Sequence, residues 1–217
     1  MAVVGYEIEL EGVVTDVGNV LTYEFTGLPE TPHDARIRSY DDEGNRGPWS
    51  AIITDTPLPP PINVALDSNG ATASATSEAG GFEAQYANNG FRHTENSWNP
   101  TGGWSAAGGQ TTGTLTIDFG VSRTISEIDV YTLADTLNYN TDPTLTDTFT
   151  LYGIVAFTVE YWNGSTWAVV TGGTVTGNDK VWRQFTFTAL STDKIRVAVT
   201  SALAGEPRIV EVEAWGS

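Results

Sequence analysis

Residues 114–131 read TLTIDFGVSRTISEIDVY, and the fold turns on how this run is read. Leu115, Ile117 and Phe119 recur at every second position, with Thr116 and Asp118 between them. That is the period of a strand with one face buried and one face wet. Gly120-Val121-Ser122 interrupts the run as a turn. The second half sends Ile125, Ile128 and Val130 inward, and the lost beat near Ser126 marks a bulge or bend. The stretch is therefore two strands joined by a turn.

The same pattern continues on the C-terminal side. AFTVEYW (156–162) and STWAVV (165–170) flank Asn163-Gly164, a strong short hairpin signal. Asn163-Gly164-Ser165 also fits a glycosylation sequon, but the tight turn accounts for those residues by itself. WRQFTFTAL (182–190), DKIRVAVT (193–200) and RIVEVEAW (208–215) supply further strands. Residues 63–79 read as an opening strand with a turn at 67–70, 83–86 as a short helical turn, and 173–180 as a loop. No amphipathic helix of useful length is present, which excludes α/β enzyme architectures and predicts an all-β sandwich or jelly roll.

On the N-terminal side, GYEIELE (5–11), LTYEF (21–25), ARIRSYD (35–41) and PWSAIITDT (48–56) read as strands. In the first, Tyr6, Ile8 and Leu10 are expected to face a core and Glu7, Glu9 and Glu11 the solvent. Three adjacent prolines at 59–61 make an extended spacer. The expected organisation is a small β domain over 1–57, a linker over 58–62 and a larger domain over 63–217.

The 217 residues carry 27 acids against 10 Lys and Arg, a net charge of −17. Such a surface repels nucleic acid and anionic lipid, and suits neutral ligands or a cation held by carboxylates. The absence of Cys removes disulfides, thiolate metal sites and Cys nucleophiles. No run of about 18 apolar residues would span a membrane. The start, MAVVGYEIEL, lacks the basic and apolar regions of an export signal.

Two resemblances sharpen this reading. GYEIEL, YEFTGLPE and ARIRSYDDEGNRGPWS are similar to the C-terminal part of a fibronectin type III domain. That resemblance implies two earlier strands, which have no room before Gly5. Either a homo-oligomer partner or neighbouring chain, with Met1–Val4, then completes the sheet, or the domain is truncated. His33 falls where that family carries a corner tyrosine, and one hydrogen bond at the corner is expected of it. Residues 63–217 resemble the discoidin, or coagulation factor 5/8 C-type, domain, whose fold is shared with family 32 carbohydrate-binding modules. The carrying residues are ANNGFRHT with a later Trp, TLTIDFGVSRTISEIDVY, FTVEYWNGSTWAVV, VWRQFTF with DKIRVAVT, and RIVEVEAWG. The resemblance implies a galactose-binding-like, eight-stranded antiparallel jelly roll that binds ligand through loops at one end. It also implies a structural calcium ion. The positions matching the family's metal ligands are Asn89 (where the family carries an acid), Thr94 and Glu211.

Sugar recognition needs an aromatic platform and planar polar groups. The aperiodic stretch 87–104 and the long polar loop 132–151 offer Arg92, His93, Asn96, Trp104, Asn138, Tyr139 and Asn140. Trp98 sits where the family's tryptophan packs as core. No HExxH, GxSxG or GxxxxGK[ST] motif occurs, and the carboxylate pairs Asp41-Asp42 and Glu211/Glu213 lie in a turn and on a strand. The function expected is therefore non-catalytic glycan binding at an extracellular surface. One alternative is a structural or receptor-binding part of a virion, such as a phage tail fibre, baseplate or capsid appendage. A second is an accessory fragment of a secreted glycoside hydrolase.

Overall fold

A computed structural model of the protein describes residues 2–93, 100–135 and 141–217. The chain divides into two compact units, Met1–Pro60 and Pro61–Ser217.

The first unit is an antiparallel sheet of four strands, β1 (Val3–Leu10), β2 (Val13–Gly18), β3 (His33–Asp41) and β4 (Ile53–Asp55), in the order β2-β1-β3-β4. LTYEF, expected as a strand, forms none, and PWSAIITDT contributes only Ile53–Asp55. Alternation along β1 is real, but Glu7, expected to face solvent, is buried, while Tyr6, Ile8, Leu10 and Glu9 are all half-buried. Glu7 is only 6% exposed. Arg38 and Arg46 donate to its two carboxylate oxygens at 2.7 and 2.9 Å, and Arg36 donates to Glu9 at 2.7 Å. The guanidinium groups of Arg36 and Arg38 in turn lie over the Trp49 ring, 5.0 and 4.2 Å from its centroid. The hydrogen bond from Arg46, then that from Arg38, holds the Glu7 carboxyl below the usual range. On the other face, Ile8 pairs with Ile37, Leu10 with Val13 and Ala35 with Ile53, and Ile37, Val13 and Ile53 are exposed. His33 sits at the start of β3 with its Nε2 3.0 Å from the Pro29 carbonyl.

The second unit is a jelly-roll sandwich. Its strands are β5 (Ile62–Asn63), β6 (Thr72–Ala75), β7 (Trp104–Ser105), β8 (Gly113–Thr132), β9 (Ile154–Trp162), β10 (Trp167–Val175), β11 (Trp182–Ala202) and β12 (Arg208–Gly216). A 3₁₀ turn spans Ala84–Ala87. The ladder runs β10-β9-β11-β8-β12-β5, with β6 added to β8 and β7 to β12, all antiparallel. β8 and β11 have 20 and 21 residues, and each would span roughly 65 Å if straight, too long for one layer of a domain this size. Both are irregular in the middle. Gly120 takes φ +75° at the bend of β8, and β11 shifts register between Thr186 and Leu190 and between Thr192 and Lys194. The first half of β8 pairs with β6, the second half with β12, so the ladder folds over itself into two layers. Leu115, Ile117 and Phe119 from one half and Ile125, Ile128 and Val130 from the other meet in a single core.

β5 pairs with Trp215–Gly216, and Ser217 exchanges two backbone hydrogen bonds with Thr124. Both chain ends of this unit therefore lie at the end where β8 bends. A Cβ at Gly216 would stand 1.9 Å from the Thr124 carbonyl oxygen, so this closure admits only glycine. Residues 88–93, 141–153 and 203–207 gather at the opposite end.

Candidate ligand-binding site

β12 organises the stretch from Asn88 to His93. Its alternation sends Val212 and Ala214 into the core and Glu211 and Glu213 to the outer face, where both are nonetheless buried. The loop lies over them. Glu211 accepts the backbone N–H of Asn89 at 3.1 Å and of Gly90 at 2.9 Å. Glu213 takes both arms of Arg92 at 2.8 Å, a bidentate pair. The Arg92 guanidinium also lies over Tyr131 and Trp215, and Tyr131 stacks on Trp182. Beneath them Asp129 accepts the indole N–H of Trp182 at 2.7 Å and of Trp215 at 3.0 Å.

Electrostatics follow from this burial. Loss of water pushes Glu211 up to about 9, against the two backbone N–H donors that favour its ionised form. Desolvation likewise raises Asp129 to about 7, helped by the charges of Glu127 and Glu213. The bond to Glu213 raises Arg92 above its usual value, so it stays cationic. Glu211 and Glu213, the strand pair flagged as a carboxylate couple, are closed off from substrate.

Of the ten predicted site residues, five fall outside the described ones: Thr94, Asn96, Asn138, Tyr139 and Asn140, as does Trp98. Trp104 is a correction. It was expected as an exposed platform, yet it is fully buried in β7 with its indole N–H donating to the Ser77 carbonyl at 2.9 Å. The bare backbone of Gly113 makes room for its ring, since a Cβ there would be 2.9 Å from Cη2. Arg92 gives its Nε and one terminal nitrogen to Glu213 and stays 32% exposed. His93 does face the loop end: its Nδ1 lies 2.6 Å from Asp142 Oδ1, joining the two loops.

The structure adds residues that were not among the expected ligand contacts. Phe91 is 54% exposed, with its ring edge-on to His93 at 6.3 Å. Tyr152 is 38% exposed and lies under the guanidinium of Arg208 at 5.2 Å. Arg208 donates to the Glu206 carboxylate at 2.7 Å. The described residues 146–150, just before Tyr152, are pinned. Phe149 is buried, Asp135 accepts the N–H and hydroxyl of Thr150, and Lys180 Nζ donates to Thr146 O at 3.1 Å. A partly exposed ring beside a guanidinium–carboxylate pair offers an apolar face together with directed donors and acceptors.

Asn89 and Glu211, two of the predicted metal ligands, come together. Asn89 Oδ1 accepts the Phe91 N–H at 3.0 Å, and each Glu211 oxygen keeps a lone pair beyond the N–H it accepts. The neighbouring Asn88 is buried with its Oδ1 lacking any donor. This is an excess of hard oxygen acceptors over donors, which fits a calcium ion in kind. Among the described residues no group of three or more His, Cys, Asp or Glu forms a metal cluster.

No protein-family profile and no curated protein matches the sequence. Solved structures do match it. The chitosan-binding module 1 of a chitosanase/glucanase from Paenibacillus sp. IK-5 is 24% identical at a TM-score of 0.53, covering 71% of this chain and 99% of its own. The family 32 carbohydrate-binding module of C. perfringens NanJ, solved with galactose, is 20% identical at 0.51, covering 72% and 98%. A Streptococcus pneumoniae fucose-binding module is 14% identical at 0.53, covering 72% and 96%. At these identities the likeness is one of fold, and it agrees with the jelly roll of the second unit. The fibronectin-like reading of residues 1–57 gains no support from them.

Proposed function

We propose that the protein is a non-catalytic glycan-binding module acting outside the cell, with its site at the loop end of the C-terminal sandwich. The observation that carries this is the partly exposed Tyr152 ring under Arg208, itself held by Glu206. Phe91 and His93 form a second aromatic position on the neighbouring loop. Support comes from the solved neighbours of the fold, which include modules for chitosan, galactose and fucose. Asn96, Asn138, Tyr139 and Asn140, expected from sequence, fall outside the described residues and belong to the site only as part of this proposal. Calcium, held by Asn89 and Glu211 with Thr94, would neutralise the buried carboxylate and stiffen the strap over β12. A glycan array of the full chain is the test, with Tyr152→Ala and Phe91→Ala as controls. Binding that falls at least tenfold in either variant supports the proposal, and no ligand on a broad array refutes it.

A second reading is favoured by one observation. The N-terminal sheet leaves Ile37, Val13 and Ile53 exposed on one face, and among the described residues of the unit no hydrophobic side chain is fully buried. An apolar sheet face left open in this way fits a component of a larger assembly, such as a virion appendage. Sedimentation of the full chain tests this: a monomer at all concentrations would remove it.

A further inference from the structure

At the end where the chain termini of the C-terminal unit lie, away from the loop-end site, three irregular features meet. They are the bend of β8 at Gly120–Ser122, the β9–β10 turn at Asn163–Gly164 and the register shift of β11 around Asp193. Together with Trp162 they line an open cavity of about 580 Å³. That is within the range of sites for small organic ligands. We propose that this cavity is a second saccharide-binding site, sized for one or two sugar units.

The argument rests on the lining. Trp162 is partly exposed, steadied edge-on by Trp167 at 5.5 Å and by Lys194 Nζ at 5.4 Å. It supplies the aromatic surface against which the C–H face of a pyranose is buried. Ser122 and Ser191 stand with their hydroxyls 2.7 Å apart, and each keeps further hydrogen-bonding capacity. Asp193 is turned out of strand alternation by the bulge that follows buried Thr192. Its Oδ1 is buried without a partner among the described residues, and its Oδ2 lies 3.9 Å from Lys194 Nζ. Its outward Oδ2, on a side chain 44% exposed, suits a hydroxyl or the ammonium group of a sugar, and the carboxylate repels phosphate and other anions. The rim is fixed. Asn163 Oδ1 accepts the N–H of Ser165 and Thr166, so its amide shapes the turn rather than meeting ligand. Gly120 and Gly164 take φ +75° and +93°, and a Cβ at either would point into open space, so the mouth is unobstructed. Two sites at opposite ends of one sandwich would let a single chain bridge two glycan strands.

The test is an amide and indole NMR titration of the full chain with galactose, N-acetylglucosamine and glucosamine. Each is taken to roughly 100 mM, well past a millimolar dissociation constant. The expected result is saturable movement of the Gly120, Gly164 and Trp162 indole signals with at least one sugar. That movement should weaken at least tenfold in Asp193→Ala and partly in Asp193→Asn, while persisting in Tyr152→Ala. The spectra report directly whether each variant is folded. No saturable movement with any of the three sugars, or movement unchanged in a folded Asp193→Ala, overturns the proposal. Because Tyr152→Ala removes only the loop-end site, failure there leaves the second site standing, and the reverse holds for Asp193→Ala.

Discussion

Replacing Glu211 by Gln should change how stability depends on pH more than it changes stability itself. Glu211 is fully buried, and its folded carboxyl titrates near 9 against an ordinary value of 4.5. Between those values the folded protein holds a proton that the unfolded chain has released. Stability therefore falls as pH rises, by about 1.4 kcal/mol per pH unit for this one group. Asp129, raised to about 7 from 3.8, pulls in the same direction but only below its folded value. The window from about pH 7 to 9 thus isolates Glu211, and across it the wild type should lose about 2–3 kcal/mol. The Gln variant has no proton to lose and should be flat there. It carries its own cost at low pH, because its amide NH₂ meets one of the two backbone N–H groups of Asn89 and Gly90. That mismatch is worth about 1–3 kcal/mol. The two curves should accordingly cross, with the variant weaker in acid and at least equal at high pH. Urea denaturation followed by tryptophan fluorescence at unit pH steps reads this directly. Parallel curves over pH 7 to 9 would refute the reasoning. A calcium ion at this site favours the ionised carboxylate, so calcium should flatten the wild-type slope and chelator restore it; no effect of either on the melting curve would remove the proposed metal.

Arg92→Ala strips the partner from buried Glu213 and should cost about 3–5 kcal/mol, checked by the same denaturation. Trp104→Ala opens a core void and orphans the Ser77 carbonyl, for a loss of about 3–5 kcal/mol, with Trp104→Phe much milder; a loss under about 1 kcal/mol would contradict its burial. Phe91→Ala removes a half-exposed ring and should leave stability within about 0.5 kcal/mol while weakening glycan binding, read by denaturation beside the array.

The fold of the larger unit could be read from 114–131 because both halves of β8 present one face to the same core. Alternation there reports burial directly. In β1 the same signal misled. Alternation separates two faces of a strand but does not say which is covered, and the residues that cover the glutamate face, Arg38, Arg46 and Trp49, lie 30 or more positions away. Trp104 failed for a related reason. Its neighbours Gly103 and Ser105 look like an exposed loop, while its burial is set by Ser77 and Gly113. Phe91 and Tyr152 belong to no periodic pattern, and nothing in the strand run that Arg208 opens sets it apart, so only the packed loops bring the three forward.

The buried acids on the outer face of β12 explain how the loop end is held in place. Strand alternation sets Glu211 and Glu213 two residues apart on one face, and the loop meets them in the same order, Asn89 and Gly90 first, then Arg92. Buried carboxylates of this kind cost free energy unless each is paired. That cost makes the register of the loop against the strand specific, because a slip by one residue would take the N–H donors from Glu211 and the cation from Glu213. Phe91 and His93 flank Arg92 in sequence, so the ion pair that holds Arg92 down also fixes the two side chains at the rim. The carboxylate pair that in sequence raises the question of catalysis is, by its burial and its partners, the fastening of the loop over β12.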